Sequence, residues 1–219
     1  TDEISNPMIK EEAVGAAGKA LADMGRNELA LEQYRKGLEI NGGNLEFRRQ
    51  EAFHLNRMGR VDEAIVKLED LLDDFPADSE AIAYLGRIYK ETWTDSWDWV
   101  GDPKKRLKTA YESYHWLIKA FDTYVKGYRV DLNQFYPGVN AVTLGSILIH
   151  LADQFDDAED PDPDIGAIRE TLPELRGALE FALETLAEDD QVDYWTLVSL
   201  AELRVLTADK TQKVTRAYR

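Results

Sequence analysis

Cysteine is absent from the 219-residue chain, and histidine occurs only three times. Without cysteine there is no disulfide, no thiol nucleophile and no zinc–thiolate centre. His54, His115 and His150 are scattered without metal-ligand spacing, so each reads as a packed or surface histidine. No uninterrupted apolar run of about 18 residues is present, which predicts no membrane-spanning helix. No secretory leader is visible, and the chain begins at Thr1 rather than methionine, so it is expected to be a fragment of a longer protein. Positive charge is the minority sign: Lys and Arg total 26 against 42 Asp and Glu, a net charge of −16. Charge of that sign repels nucleic acid and anionic lipid, so neither is expected as a partner. The lack of cysteine suits a cytoplasmic location. A glycine-rich phosphate loop, a nucleophile elbow and a His-Glu-x-x-His motif are all missing. No cofactor and no enzymatic activity are therefore expected. No stretch alternates with the period of a strand, so the chain reads as all-α.

What is present is a repeat. Residues 11–92 match themselves at a shift of 34: Gly25 falls on Gly59, Ala30 on Ala64, Asn44 on Asp78, and Leu21, Leu55 and Tyr89 form a series. Two amphipathic halves joined by a glycine at that period are the tetratricopeptide signature. The predicted fold is a tetratricopeptide-like solenoid of helical hairpins with about ten helices. The whole chain, 1–219, reads as a single repeat domain. Its repeats are placed at about 11–44, 45–78 and 79–128, followed by a divergent unit at 137–187 and a truncated one at 192–219. Asn6-Pro7, Asn44 and Asp78 read as helix starts, and Gly25 and Gly59 as turns.

The third repeat departs from the pattern. A glycine turn is due near Trp93, but residues 93–102 read Trp-Thr-Asp-Ser-Trp-Asp-Trp-Val-Gly-Asp. This is taken as an aromatic insertion in the turn, followed by one long helix from Pro103 to about Tyr128. Trp93, Trp97 and Trp99 are either a stacking lid over a ligand or core filling beneath the third repeat. Trp116 and Trp195 fall on helical stripes and read as packing. Asp160-Pro161-Asp162-Pro163-Asp164-Ile165-Gly166 has its glycine one place late for a calcium loop and Thr171 where glutamate is needed, so no metal is expected. The acidic stretch from Asp156 to Asp164 reads as a solvated loop.

Small residues at Gly18, Ala52 and Gly86 occupy one repeat position and let paired helices approach. The first helix of each pair lines the inner face of the stack. Positions 2, 5, 9, 12 and 13 of each unit give that face Glu12, Gly15, Lys19, Ala22 and Asp23, then Glu46, Arg49, Phe53, Asn56 and Arg57, then Glu80, Ala83, Arg87, Lys90 and Glu91. The recurring glutamates suit the positive end of a helix dipole. Arg49, Arg57, Arg87 and Lys90 are either a solvated face paired with neighbouring carboxylates or a pocket for a phosphate or carboxylate, whose oxygens arginine forks match in pairs.

The strings Leu85-Gly86-Arg87-Ile88-Tyr89-Lys90, Asp95-Ser96, Ile118-Lys119-Ala120-Phe121 and Gly138-Val139-Asn140-Ala141-Val142 resemble one known family over about residues 45–207. It is the TRAF-binding, or central regulatory, domain of the apoptosis-signal-regulating kinases and its bacterial relatives. The resemblance implies a non-catalytic helical repeat domain that acts as adaptor or regulator within a signalling protein. For the bacterial relatives it implies sensing of a nucleotide-like ligand in stress systems. Arg87, Lys90 and Asn140 match the family motif. Two readings follow: a peptide or protein partner lying along the inner face, or a phosphorylated or nucleotide-like ligand held by Arg49, Phe53, Asn56, Arg57, Arg87, Lys90 and Asn140 under a Trp lid.

Overall fold

A computed structural model describes residues 6–156, 162–189 and 191–206. The predicted repeat turn at Ala208-Asp209 and the helix start from Lys210 to Arg219 lie outside these residues, as does most of the acidic loop. Ten α-helices and no strand occur among the described residues: α1 Pro7–Asp23, α2 Asn27–Ile40, α3 Leu45–Arg57, α4 Val61–Asp74, α5 Ser79–Trp97, α6 Pro103–Glu112, α7 Tyr114–Val130, α8 Phe135–Phe155, α9 Pro163–Ala187 and α10 Tyr194–Leu206. The chain divides into two compact units, Thr1–Ile88 and Tyr89–Arg219.

The first unit follows the repeat closely. Asn6 Oδ1 accepts from the Met8 backbone N–H at 3.0 Å, and Asn44 Oδ1 from that of Phe47 at 2.9 Å. Asp78 Oδ1 accepts from Ala81 N–H at 2.8 Å. These are N-caps that satisfy donors the helix itself cannot. The hairpin turns are closed by Gly25 at φ +72° and Gly59 at φ +75°, a left-handed conformation that costs other residues about 1–2 kcal/mol. Ala30, Ala52 and Ala64 are fully buried where neighbouring helices meet. Gly18 is buried as well; a Cβ there would stand 2.9 Å from the Tyr34 ring. Leu55, Leu68 and Leu71 complete the core on the buried stripes of α3 and α4.

The second unit is built around α8, which packs against α6, α7, α9 and α10. Tyr128, Val142, Leu179, Leu183 and Leu203 form its core. At Phe135–Phe155, α8 is long and apolar enough, by length and composition, to cross a membrane. Asn140, His150 and Asp153 interrupt the stretch, so it holds no unbroken apolar run of that length. More than half of it is buried inside this unit, as befits a core helix.

Two sequence expectations are corrected in this unit. No turn occurs at Trp93, because α5 continues to Trp97. No glycine stands there to supply a left-handed turn. Thr94 and Ser96 donate their hydroxyls back to the carbonyls of Lys90 and Trp93, as hydroxyl side chains do within helices. The expected long helix from Pro103 is instead two helices broken at Ser113 (φ −106°, ψ 21°). With the Ser96 proton on Trp93 O, the Ser113 hydroxyl, 2.9 Å from Thr109 O and 2.6 Å from Ser96 Oγ, shares its proton between them, which ties the break to α5. The start of α9 is held separately: Tyr114 donates to the capping carboxylate of Asp162 at 2.6 Å.

Candidate functional site

In the first unit, Glu12, Gly15 and Lys19 of α1, Tyr34 of α2, and Glu46 and Phe47 of α3 surround a hollow of about 460 Å³. Its floor is aromatic: the Tyr34 and Phe47 rings lie 5.7 Å apart at 50°. Glu11 at its edge is engaged by the side-chain amides of Asn41 and Asn44 and serves the structure.

Farther along the same unit, Arg49 is surrounded by carboxylates. Nη1 bonds Asp78 at 2.9 Å and Nη2 bonds Glu46 at 3.0 Å. Nε lies 3.3 Å from Glu80, at ion-pair distance but without hydrogen-bond alignment. Burial pulls the guanidinium pKa down, but the Glu46 bond, Asp78 and Glu80 outweigh it and the net direction is up. Arg49 is therefore a structural clamp between α3 and the cap of α5. Replacing it with alanine strips a partner from Asp78, whose side chain is almost fully buried. The expected cost is about 1–2 kcal/mol, read as a lower urea midpoint.

Phe53 forms a different cluster. Tyr84 lies 5.6 Å from its ring, the His54 ring meets it edge-on at 5.1 Å, and the Arg57 guanidinium stands 5.2 Å over its face. Arg57 is exposed and carries no ion pair among the described residues. Asn56 is half-buried and its carbonyl accepts from Gly59 N–H at 2.9 Å, inside the hairpin turn. Arg87 is exposed on α5. These residues, with Arg49, belong to the first unit; Lys90 and Asn140 belong to the second.

In the second unit Lys90 of α5 and Asn140 of α8 meet directly. Lys90 Nζ donates to Asn140 Oδ1 at 2.9 Å and lies 5.9 Å from the Tyr124 ring centroid. Asn140 Nδ2 donates to Tyr136 O at 2.8 Å. Fifty residues apart in sequence, the pair cross-links two helices.

The tryptophans separate by role. Trp93 is buried and its Nε1–H donates to Ala110 O at 2.9 Å, joining α5 to α6. Packed edge-on against Trp97 at 5.0 Å, it is core and not a lid. Trp99 is 78% exposed, with its Nε1–H tied to Ser96 O. Among the described residues no three histidine or carboxylate side chains gather as a metal set.

A family model described as TPR-S, Tetratricopeptide Repeats-Sensor, matches residues 26–145. The chain belongs to the TPR-S family. The matched stretch of this TPR-S chain runs from the first glycine turn to the middle of α8, and so includes Arg49, Phe53, Arg57, Lys90 and Asn140. Among solved structures, the thermophilic TPR protein TTC0263 of Thermus thermophilus is similar at 18% identity and TM-score 0.49, over 95% of this chain and 88% of that one. MamA from Desulfovibrio magneticus RS-1 is similar at 18% identity and TM-score 0.44, over 78% and 76%. The TPR2AB domain of yeast Sti1, in its pHSP90 complex, is similar at 15% identity and TM-score 0.33, over 95% and 98%. No curated protein matches.

One feature of the TPR-S chain escapes sequence reading. Trp195, expected as packing, is 73% exposed on α10. With Tyr136 it flanks a second cleft, of about 660 Å³, in the second unit. Helical periodicity places Trp195 on a stripe but does not say whether another helix covers that stripe.

Proposed function

We propose that the first unit is a non-catalytic adaptor surface that takes a peptide or protein segment along its inner face. The observation that carries this is the state of Arg49. With three carboxylates already around its guanidinium, the cation that anchors the anion-pocket reading in this unit is occupied. What remains is a face of mixed charge over an aromatic floor, running from the hollow at Tyr34 and Phe47 to Phe53 and Tyr84. Such a face suits a segment with apolar anchors and both signs of charge, with Arg57 and Phe53 as a paired cation–aromatic contact. The resemblance to the TRAF-binding domain supports a regulatory place in a longer cytoplasmic signalling protein.

A peptide-display selection on the full chain tests this. An enriched motif should bind the wild type and lose about tenfold or more in affinity to Phe53→Ala/Arg57→Ala, with helical content unchanged by circular dichroism. Peptides that bind the double variant as well as the wild type would remove the inner face from the reading.

The family's description as a sensor favours a second reading, a phosphorylated or nucleotide-like ligand near Lys90 and Asn140 of the second unit. A thermal-shift screen with adenine nucleotides separates the two. Ligand at about 100 times its dissociation constant adds roughly 2.7 kcal/mol of stability, whereas no shift leaves the adaptor reading alone.

A further inference from the structure

We propose that the cleft between the start of α8 and α10 in the second unit binds an organic cation, an ammonium or guanidinium head on an apolar stem. Its walls include Tyr136 and Asn140 from α8, and Asp193, Trp195, Ser199 and Glu202 from α10 and its cap. At about 660 Å³ it falls within the usual size of small-ligand sites.

Three observations define the ligand. The first is the display of aromatic faces: Trp195 is 73% and Tyr136 51% exposed. Both rings are braced, Tyr136 edge-on to Tyr124 at 5.9 Å and Trp195 edge-on to Tyr194 at 5.4 Å. A cation over such a face is attracted by the ring quadrupole, more strongly as water is excluded.

The second is the sign of the lining. Among the described residues no lysine, arginine or histidine lines the cleft, and the charged groups there are Asp193 and Glu202. Asp193 is held in place. It accepts from the Trp195 and Thr196 backbone N–H groups at 2.8 and 3.1 Å and from the Thr196 hydroxyl at 2.6 Å. The Thr196 hydroxyl and these N–H groups hold its pKa below the usual carboxylate value, so it stays charged. Glu202 carries no ion pair among the described residues and can close on a bound cation.

The third is the role of Asn140. Its oxygen takes Lys90 Nζ and its nitrogen serves Tyr136 O. Lys90 is thereby held on Asn140 and beside Tyr124 rather than lining the cleft. Two carboxylates with no lining cation among the described residues repel phosphate, so the cleft selects the opposite charge from the anion pocket that is one of the two sequence readings.

The same chemistry is offered by a free polyamine and by a basic side chain of a peptide. Titration calorimetry on the full chain at low salt uses spermidine, the tripeptide Gly-Arg-Gly and adenosine monophosphate as separate probes. Binding of spermidine or of Gly-Arg-Gly is expected, with affinity falling about tenfold in Trp195→Ala and in Glu202→Gln, and weakening as salt rises. Spermidine alone identifies a polyamine source; the tripeptide alone or both identifies a basic side chain. Both substituted residues are exposed, so the variants should keep the wild-type melting temperature. The proposal is overturned if neither cation binds at concentrations up to about 10 mM, if binding is unchanged in both variants, or if adenosine monophosphate binds in their place. None of these outcomes bears on the inner face of the first unit, whose test uses other residues.

Discussion

Replacing Gly37 with alanine should destabilise the first unit by about 2 kcal/mol, even though alanine is the better helix former by about 1 kcal/mol. Gly37 is buried within α2. A Cβ there would lie 2.5 Å from both Cδ2 and Cε2 of Phe47, closer than any real contact. The ring can turn away only toward the hollow it lines, and doing so costs its packing contacts. It is nearly fully buried against Ala30 and Tyr34, and a Cβ on Gly15 would itself lie 3.0 Å from Cε1. Overpacking of this kind forces side chains off their rotamers and outweighs the gain in helix propensity. All five tryptophans lie at residue 93 or beyond, so tryptophan fluorescence follows the second unit while far-UV circular dichroism follows both. The expected result is an earlier dichroism transition in urea. Phe47→Leu in the same chain should recover part of the loss, a coupling that only direct contact produces. A midpoint equal to or above that of the wild type would mean that Phe47 is free to move and that the α2–α3 contact has been misjudged.

Mild acid should destabilise the same unit through His54. Its side chain is fully buried, stacked on Tyr34 at 5.6 Å and edge-on to Phe53. Nδ1 lies 3.0 Å from Asn27 Oδ1, which can only accept from it, so Nδ1 carries the proton of the neutral ring. Nε2 is buried without a partner, and a second proton there would have no acceptor. Burial, helped by the charge of Arg57, lowers the His54 pKa below its ordinary value of 6.5. In the unfolded chain His54 takes up a proton at that ordinary value. Between the two values the unfolded state binds more protons, so stability rises with pH. The stabilisation is complete above about pH 6.5 and is lost as pH falls toward the lowered folded-state value. Melting temperatures from pH 7.5 to pH 5 should fall, by roughly 4–8 °C for each kcal/mol lost in a unit of this size. His54→Leu should flatten the profile over that window. An equally steep profile in the variant would assign the effect to other groups.

The repeat is legible in sequence because it is written in local terms. Period, glycine spacing and caps at Asn6, Asn44 and Asp78 are requirements of single turns and helix ends, and the structure meets each at the residue that signals it. Legibility ends where a helix continues without a local signal to stop it. No residue between Trp93 and Trp97 breaks a helix, so only the packing of Trp93 on α6 reveals that α5 runs on. For His54 the sequence leaves burial as one of two options and says nothing of its orphaned nitrogen.

The candidate site is legible in residue type but not in state. The repeat register singles out Arg49, yet whether its charge is available depends on Glu46, Asp78 and Glu80, two of them some thirty residues away. Lys90 and Asn140 stand out separately in sequence, and their bond across two helices appears only when α5 and α8 are placed. By itself the sequence determined that this chain is a stack of helical hairpins with glycine turns and small residues at the helix crossings, because those features follow from backbone geometry within some 34 residues. Tertiary structure alone decided which charges are already paired and which aromatic faces stay in water. Pairing and burial are properties of distance in space, and side chains fifty residues apart acquire a distance only when the helices carrying them have packed.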